Sequence, residues 1–473
     1  MAPAADAVAD ALVVFGITGD LARKMTLPAL YRLARRKELY CRVIGVGRSE
    51  WTDEELRQRA RDAIQEADVE VDDVAMDDLL ARLTYVAGDT RDAATLQRLA
   101  DELEPAKAIV HYLALPPSMF AETVKRLADA GLVARARVVI EKPFGTDLAS
   151  AIELDRDLHD VLDEEQIFRI DHFLGKEPVQ DILYLRFANE IFEPVWNRHH
   201  IESVQINMFE AFGVDDRGSF YDGVGALRDV VQNHLLQVLA LVAMEPPPSG
   251  QGAVADHRTD VFRAMPVADP SAYVRGQYRG YGDVKGVADD SRTETFAALQ
   301  LSVENWRWHG VPFLIRAGKA LSTTATDITV RFKTPPPLWW QSDVLSEVPQ
   351  HNHLTIRIGK GAGASIGVLL KKPGEPTTER VHLDLSFERQ LGELPAPYER
   401  LLFDAMRGRH DLFPRQDAVE ETWRIVQPLL DAAPDVAPYE PGTDGPPVAD
   451  RLAEGHGGWR RPVRHRTHVD HKA

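Results

Sequence analysis

A parallel, doubly wound α/β half followed by a larger α+β half with a mostly antiparallel sheet is the fold class this sequence predicts, on three observations. Short apolar runs alternate with helical patterns as far as residue 173, the rhythm of strand–helix–strand units. Beyond Leu174 the apolar runs show period-two alternation, and most follow one another without a helix between them, as strands of an antiparallel or mixed sheet do. A chain of 473 residues also exceeds the size at which one core stops growing. Two domains are therefore expected, 1–173 and 174–473.

Ala11 to Phe15 is a buried-strand pattern followed by Gly16-Ile17-Thr18-Gly19-Asp20 and a helical pattern through Leu21, Leu27, Leu30 and Leu33. Glycines in such a turn let the backbone approach a pyrophosphate, and the free N–H groups at the helix start receive the anion. A three-glycine fingerprint would want glycine where Val14 stands, so only Gly-x-x-Gly remains. The next run, Val43 to Val46, ends in Gly47-Arg48-Ser49. An acidic residue near that strand end suits NAD and an arginine suits a 2′-phosphate, so Arg48 tilts the reading to NADP, against the alternative of an ordinary exposed arginine. Further strands are expected at Leu83 to Ala87, Ala108 to Leu113, Val138 to Ile140 and Gln166 to Ile170, with helices at Ala93 to Leu103 and Ala121 to Gly131. Lys142 and Asp171 would then fall beyond the carboxyl ends of strands, where ligands of such sheets bind.

In the second half, strands are expected at Ser203 to Phe209, Phe296 to Val303, Phe313 to Arg316, Ile328 to Phe332, Leu354 to Ile358, Ile366 to Leu370 and Val381 to Leu385. Helices are expected at Gly225 to Met244, Tyr398 to Met406 and Ala418 to Leu430. Gly455 to Ala473 is rich in Gly, His and Arg and reads as a solvated extension, with metal binding by its histidines as the alternative.

The net charge of -18 argues against a generic nucleic-acid or anionic-membrane binder, and any anionic substrate needs a local basic site. One cysteine, Cys41, rules out an intrachain disulfide framework and a cysteine-built zinc site. Neither a secretory signal nor an apolar run long enough for a bilayer is visible, so a cytoplasmic location is expected. No metal is expected.

Two stretches concentrate chemistry. Arg169-Ile170-Asp171-His172-Phe173-Leu174-Gly175-Lys176-Glu177 sets a carboxylate, an imidazole and an ammonium beside a glycine, directly after an apolar strand. If extended, Asp171 and His172 point to opposite sides and serve two subsites; a surface loop with a local ion pair is the plainer alternative. Along Ala226 to Gln237, Asp229, Gln232, Asn233 and Gln237 share one α-helical stripe, with His234 to its side in line with Val230, Val238 and Leu241. His234 is either a hydrogen-bonded core histidine or a general base aligned by a carboxylate, for which Asp171 is the candidate.

Taken together, Gly16-x-x-Gly19-Asp20-Leu21-Ala22, Glu141-Lys142-Pro143-Phe144-Gly145, the nine-residue string, Arg228-Asp229-x-x-Gln232-Asn233-His234 and Arg316-x-Gly318-Lys319-Ala320-Leu321 resemble the glucose-6-phosphate dehydrogenase family in order and spacing, from Val13 to about Leu430. The resemblance implies a Rossmann-type coenzyme domain and a sheet domain through which homodimers or homotetramers form. It also implies oxidation of glucose 6-phosphate at C1 to the lactone with reduction of NADP, or NAD in some members, within glucose metabolism and the pentose phosphate pathway. His234 matches the family's general base, Asp171 its carboxylate partner, and Lys142 a residue bridging substrate and coenzyme. His172 and Lys176 match phosphate ligands, and Glu210, Asp229 and Lys319 match sugar contacts. Gly16, Thr18, Gly19, Asp20, Leu21 and Arg48, with Lys142, fall to the coenzyme.

The departures cluster on the sugar-phosphate side. Phe173 stands where the family has tyrosine, Thr324 where a basic residue follows the matched lysine, and Gly359-Lys360 where Gln-Pro follows Ile356-Arg357-Ile358. Lys360, Arg316 and Arg357 are the cations near enough in sequence to compensate. A paralogue with an altered sugar or sugar-phosphate substrate is therefore the runner-up, and a non-catalytic coenzyme-binding protein the third reading.

Overall fold

The computed structural model describes residues 7–67, 69–250, 252–336, 351–375 and 378–462. The chain divides into two compact units: 1–175 with 247–257 and 395–420, and 176–246 with 258–394 and 421–473.

The first unit holds a six-stranded sheet of β1 (Ala11–Phe15), β2 (Arg42–Gly47), β3 (Leu83–Ala87), β4 (Ile109–Leu113), β5 (Ala136–Glu141) and β6 (Ile167–Ile170). Its order is β3-β2-β1-β4-β5-β6 and every pairing is parallel. Strands β1, β4, β5 and β6 are buried along their whole length, which accounts for their mostly apolar runs. The order reverses between β1 and β4, the kind of point beyond whose strand ends ligands of such sheets bind. Helix Leu27–Arg35 presents Leu27, Leu30, Tyr31 and Leu33 to this core, and helix Pro397–Arg407 adds Leu401, Leu402, Ala405 and Met406 to it. Cys41 is a buried member of the same core, its thiol 3.4 Å from Met406 Sδ.

The second unit holds nine strands: β7 (Ile201–Phe209), β8 (Tyr273–Tyr278), β9 (Phe296–Leu301), β10 (Phe313–Gly318), β11 (Ala325–Phe332), β12 (His353–Ile358), β13 (Gly363–Lys371), β14 (Thr378–Ser386) and β15 (Val436–Tyr439). They are ordered β14-β13-β12-β11-β7-β10-β9-β8-β15. The pairs β7/β10 and β8/β15 are parallel and the other neighbours antiparallel, so the sheet is mixed but mostly antiparallel, as expected.

Three expectations need correction. β8 and β15 add two strands that the hydrophobic pattern did not mark: β8 carries Gly276 and β15 carries Pro438, and proline is tolerated in β15 because that strand is the sheet's edge. Over Leu227–Leu235 the expected helix is wound as a π-helix and becomes α-helical only at Leu236–Ala243, so the α-period count of its faces does not hold. The residues up to Pro462 are not a solvated extension. Gln205 on β7 donates to Gly458 O and accepts from Arg460 N, both at 2.9 Å, and Trp459 Nε1 donates to Ala449 O. His465, His468 and His471 lie outside the described residues.

Candidate functional site

In the first unit the candidate residues gather at the carboxyl ends of the parallel strands. Gly16 follows β1 with φ +78°, and a Cβ added there would lie 2.3 Å from Ala114 O, just beyond β4. Only glycine permits both the left-handed backbone and that close approach, at the very point where the sheet order reverses. Gly16 N–H donates to Val46 O and Gly19 N–H to Gly16 O, closing the turn that carries Thr18, Gly19, Asp20 and Leu21 into the helical segment Ala22–Thr26. Thr18 reaches across to the end of β2, its Cγ2 within 3.1 Å of the space beside Gly47. Arg48 comes next and is exposed.

Asp89, beyond β3, is held down to about 2, first by the hydrogen bonds it accepts from the Arg91 side chain and backbone and, more weakly, by the Arg48 charge. A second guanidinium, Arg91, thus stands on the same side of the sheet as Arg48, a residue that the sequence pattern gave no reason to single out. Arg48→Ala is expected to weaken NADP binding far more than NAD binding in a direct titration of each coenzyme. Equal losses would remove the 2′-phosphate assignment.

Lys142 follows β5, and Asp171 follows β6. Asp171 is 2% exposed, and the stretch from it is not extended, as the two-subsite reading required. Asp171 Oδ1 accepts from Phe173 N–H at 2.9 Å and Asp171 O from Leu174 N–H, so the aspartate opens a turn as Asx residues do. His172 is half-buried, with the fully buried Phe173 ring edge-on at 5.3 Å. Next to Lys142, Glu141 is buried among Tyr112 and Tyr398 hydroxyls at 2.7 and 3.3 Å.

In the second unit three predicted residues come together. Lys319 Nζ donates to Glu210 Oε2 at 2.5 Å and lies 3.9 Å from Asp229 Oδ2. These side chains arrive from different elements: Glu210 just after β7, Lys319 just after its parallel neighbour β10, Asp229 from the π-helix. Backbone bonds lock the two strand ends, Glu210 N–H to Gly318 O and Leu321 N–H to Glu210 O. The ammonium also sits 5.1 Å from the Tyr221 ring centroid and 5.4 Å from that of Phe212, so two aromatic faces line the group. Burial, and then the negative charge of Asp229 ahead of that of Glu210, push the Tyr221 hydroxyl well above its ordinary range, keeping it a neutral donor. Tyr221 joins this cluster without a sequence signal, since nothing in Ser219-Phe220-Tyr221-Asp222 distinguishes it from a core aromatic.

His234 is 1% exposed on the same π-helix. In an α-helix, residues five apart diverge, whereas i→i+5 winding sets them one above the other. Asp229 and His234 are five apart, so the π geometry brings to one side two residues that the α count had separated. The other polar groups of this segment are structural: Gln232 donates to Thr422 Oγ1 at 3.0 Å, Asn233 to Arg228 O at 3.0 Å, and Gln237 accepts from Arg258 at 3.2 Å. Lys176 is the N-cap of helix Glu177–Phe187.

The compensating cations fare unequally. Arg316 is buried, donating to Asn207 Oδ1 at 2.7 Å and Arg460 O at 2.6 Å between the Phe209 and Trp459 rings. Arg357 pairs with Asp384 at 2.7 Å and donates to Gly361 O. Both are engaged by partners within the second unit. Thr324 Oγ1 accepts from Ala211 N–H at 2.9 Å, tying the loop after β10 to the one after β7. Gly359, at φ +100°, turns the β12–β13 hairpin and leaves Lys360 exposed at its tip.

Elsewhere in the first unit, Asp155, His159 and Glu164 have the closeness of cation ligands. The buried Arg169 guanidinium already bridges the two carboxylates at 3.3 and 2.8 Å, which makes the group an ion cluster. Among the described residues no helix is long and apolar enough to cross a membrane.

Comparison with known proteins accords with this arrangement. Residues 13–181 match the family model for the glucose-6-phosphate dehydrogenase NAD binding domain, and residues 183–461 match that for its C-terminal domain. The chain is 48% identical over 454 residues to glucose-6-phosphate 1-dehydrogenase 1 of Mycobacterium tuberculosis, covering 96% of each chain. The crystal structure of glucose-6-phosphate 1-dehydrogenase from Mycobacterium avium superposes with a TM-score of 0.87 at 48% identity, over 97% of this chain and 100% of that one. A glucose-6-phosphate dehydrogenase in complex with its substrate glucose 6-phosphate gives 0.88 at 32% identity over the same shares. With both halves matched and relatives covered almost end to end, the chain belongs to the glucose-6-phosphate dehydrogenase family.

Proposed function

We propose that this protein oxidises C1 of glucose 6-phosphate to the 6-phosphoglucono-lactone and reduces NADP. The observation that carries the reading is family membership across nearly the full length of relatives that bear this activity in their name. The Lys319–Glu210–Asp229 cluster beside the His234 helix supports it, because a polar, charged and aromatic-lined group is suited to fixing sugar hydroxyls.

His234 takes the proton of the C1 hydroxyl as the C1–H bond gives up a hydride, and the family pattern assigns Asp171 to orient and stabilise the imidazolium. NADP, when bound, supplies the hydride acceptor. The Gly16 turn fits a pyrophosphate, since its backbone packs where no side chain has room, and Arg48 fits the 2′-phosphate. Lys142 bridges coenzyme and substrate, His172 and Lys176 hold the substrate phosphate, and Glu210, Asp229 and Lys319 hold the sugar. The chemistry is positioning plus proton removal. Residues 1–173 serve the coenzyme and 174–473 the substrate and association between subunits.

Homodimers or homotetramers through the large sheet fit its outer strands, where Leu370, Leu383 and Leu385 are 56%, 62% and 41% exposed. Sedimentation of the chain as a monomer would remove that part. A cytoplasmic location fits the single, buried cysteine.

The test is coenzyme reduction, followed by absorbance, on a panel of free and phosphorylated hexoses, with Phe173→Tyr alongside the native chain. Glucose 6-phosphate should be the best substrate. Phe173→Tyr should lower its KM by about tenfold, the worth of one hydrogen bond to a charged group. An unchanged or higher KM would mean that the subsite serves something else, and no reduction with any sugar would favour a coenzyme-binding protein without catalysis.

A further inference from the structure

Helix Pro397–Arg407 belongs to the first unit although it follows the end of the parallel sheet by more than half of the chain's second half. Its first turn packs against two chemical strings at once. Tyr398 Oη donates to Glu141 Oε2 at 3.3 Å, while Glu141 Oε1 accepts from Tyr112 Oη of β4 at 2.7 Å. The Tyr398 ring lies nearly parallel to the His172 imidazole, at 12° with centroids 6.5 Å apart. Beneath it, Gly175 approaches the same turn so closely that an added Cβ would fall 2.7 Å from Pro397 O and 2.9 Å from Leu401 Cγ.

These contacts meet where two strands end. Glu141 and Ile170 are paired in the sheet, so Lys142 and Asp171, one residue further, leave neighbouring strands at the same level. A hydrogen bond to one string and a ring beside the other make Tyr398 a strut between them, and at 6% exposure it has little freedom to act otherwise.

We propose that Tyr398 is a positioning residue for hydride transfer: its hydroxyl fixes the Glu141 carboxylate and so the placement of Lys142, and its ring backs His172. This rests on the function proposed above. The electrostatics agree with the geometry. Burial pushes the Glu141 carboxyl up to about 7, opposed by the Tyr112 and Tyr398 hydroxyls and the Lys142 ammonium and reinforced by Asp171. Among the described residues, these four groups act on the carboxyl. Ionised, it accepts a charge-assisted hydrogen bond from each tyrosine and sets a negative charge beside the ammonium; protonated, it is a weaker acceptor and carries no charge. Activity should therefore rise with pH through the neutral range, and losing a donor to the carboxylate should move that rise to higher pH.

The experiment compares kcat, KM and the pH profile of kcat for the native chain, Tyr398→Phe and Glu141→Gln, with NADP affinity measured directly. Tyr398→Phe keeps the ring and loses the hydroxyl, so kcat should fall by about tenfold, as for one hydrogen bond to a charged group. KM for glucose 6-phosphate should change little, and the acidic limb should shift upward. Glu141→Gln, which cannot ionise, should lose that limb's contribution and remain slow at every pH. A Tyr398→Phe enzyme with native kcat, or one slowed equally at all pH values with its limb unmoved, would overturn the proposal even if its melting temperature fell. Tyr112→Phe, removing the other donor, must shift the limb in the same direction. An inactive native chain would overturn the proposed function itself and this inference with it; an active native chain with an indifferent Tyr398→Phe overturns this inference alone.

Discussion

Replacing His234 with asparagine is expected to lower kcat by roughly 10²- to 10⁴-fold, the range a positioned general base contributes, with little change in NADP affinity. Asparagine occupies similar space and still hydrogen-bonds, but it cannot take a proton at neutral pH. Because His234 is buried on a helix packed into the second unit, the comparison needs a melting curve beside the kinetics. A variant that melts like the native chain yet turns over slowly identifies the base. A variant with unchanged kcat leaves His234 as a core histidine.

Lys319→Met is the second large effect. The substitution preserves the side chain's apolar stem and removes the one cation held 2.5 Å from Glu210 and 3.9 Å from Asp229. Glu210 and Asp229 would then lose the ammonium that stands between them. KM for glucose 6-phosphate should rise by one to two powers of ten, since a hydrogen bond to a charged group is worth roughly 1.5–3 kcal/mol. A lowered melting temperature with an unchanged KM would reduce the cluster to a structural salt bridge.

Much of this architecture is legible in the residues because buried parallel strands are mostly apolar. Leu83–Ala87 and helix Ala93–Leu103 lie at the limits the pattern suggests. What escaped had a physical cause in each case. Helix Asp53–Glu66 is strongly polar, and its clearest signal is the reciprocal capping of Thr52 and Glu55 rather than an apolar stripe. Strand β15 carries a proline that an edge can accept but a reader of sequence discounts.

The site shows the same division. Gly16, Lys142 and Asp171 could be placed because a strand end is a position that a sequence reveals. The relation of Asp229 to His234 could not, because it depends on helical winding that no apolar periodicity reports. Tyr398 and Tyr112 escaped for another reason: their hydroxyls matter only through a buried glutamate distant from Tyr398 in sequence. The substrate side is likewise a matter of commitments made in three dimensions. Arg316 and Arg357 look available in the sequence and are engaged within the sheet.

Hydride transfer from C1 is the central claim, and glucose 6-phosphate carrying deuterium at C1 tests it directly. Incubated with NADP and the purified protein, it should yield NADPH bearing the deuterium at the nicotinamide ring and a lactone that has lost it, with a slower rate than the protium substrate. Reduced coenzyme without deuterium, or deuterium retained in the sugar product, would contradict it.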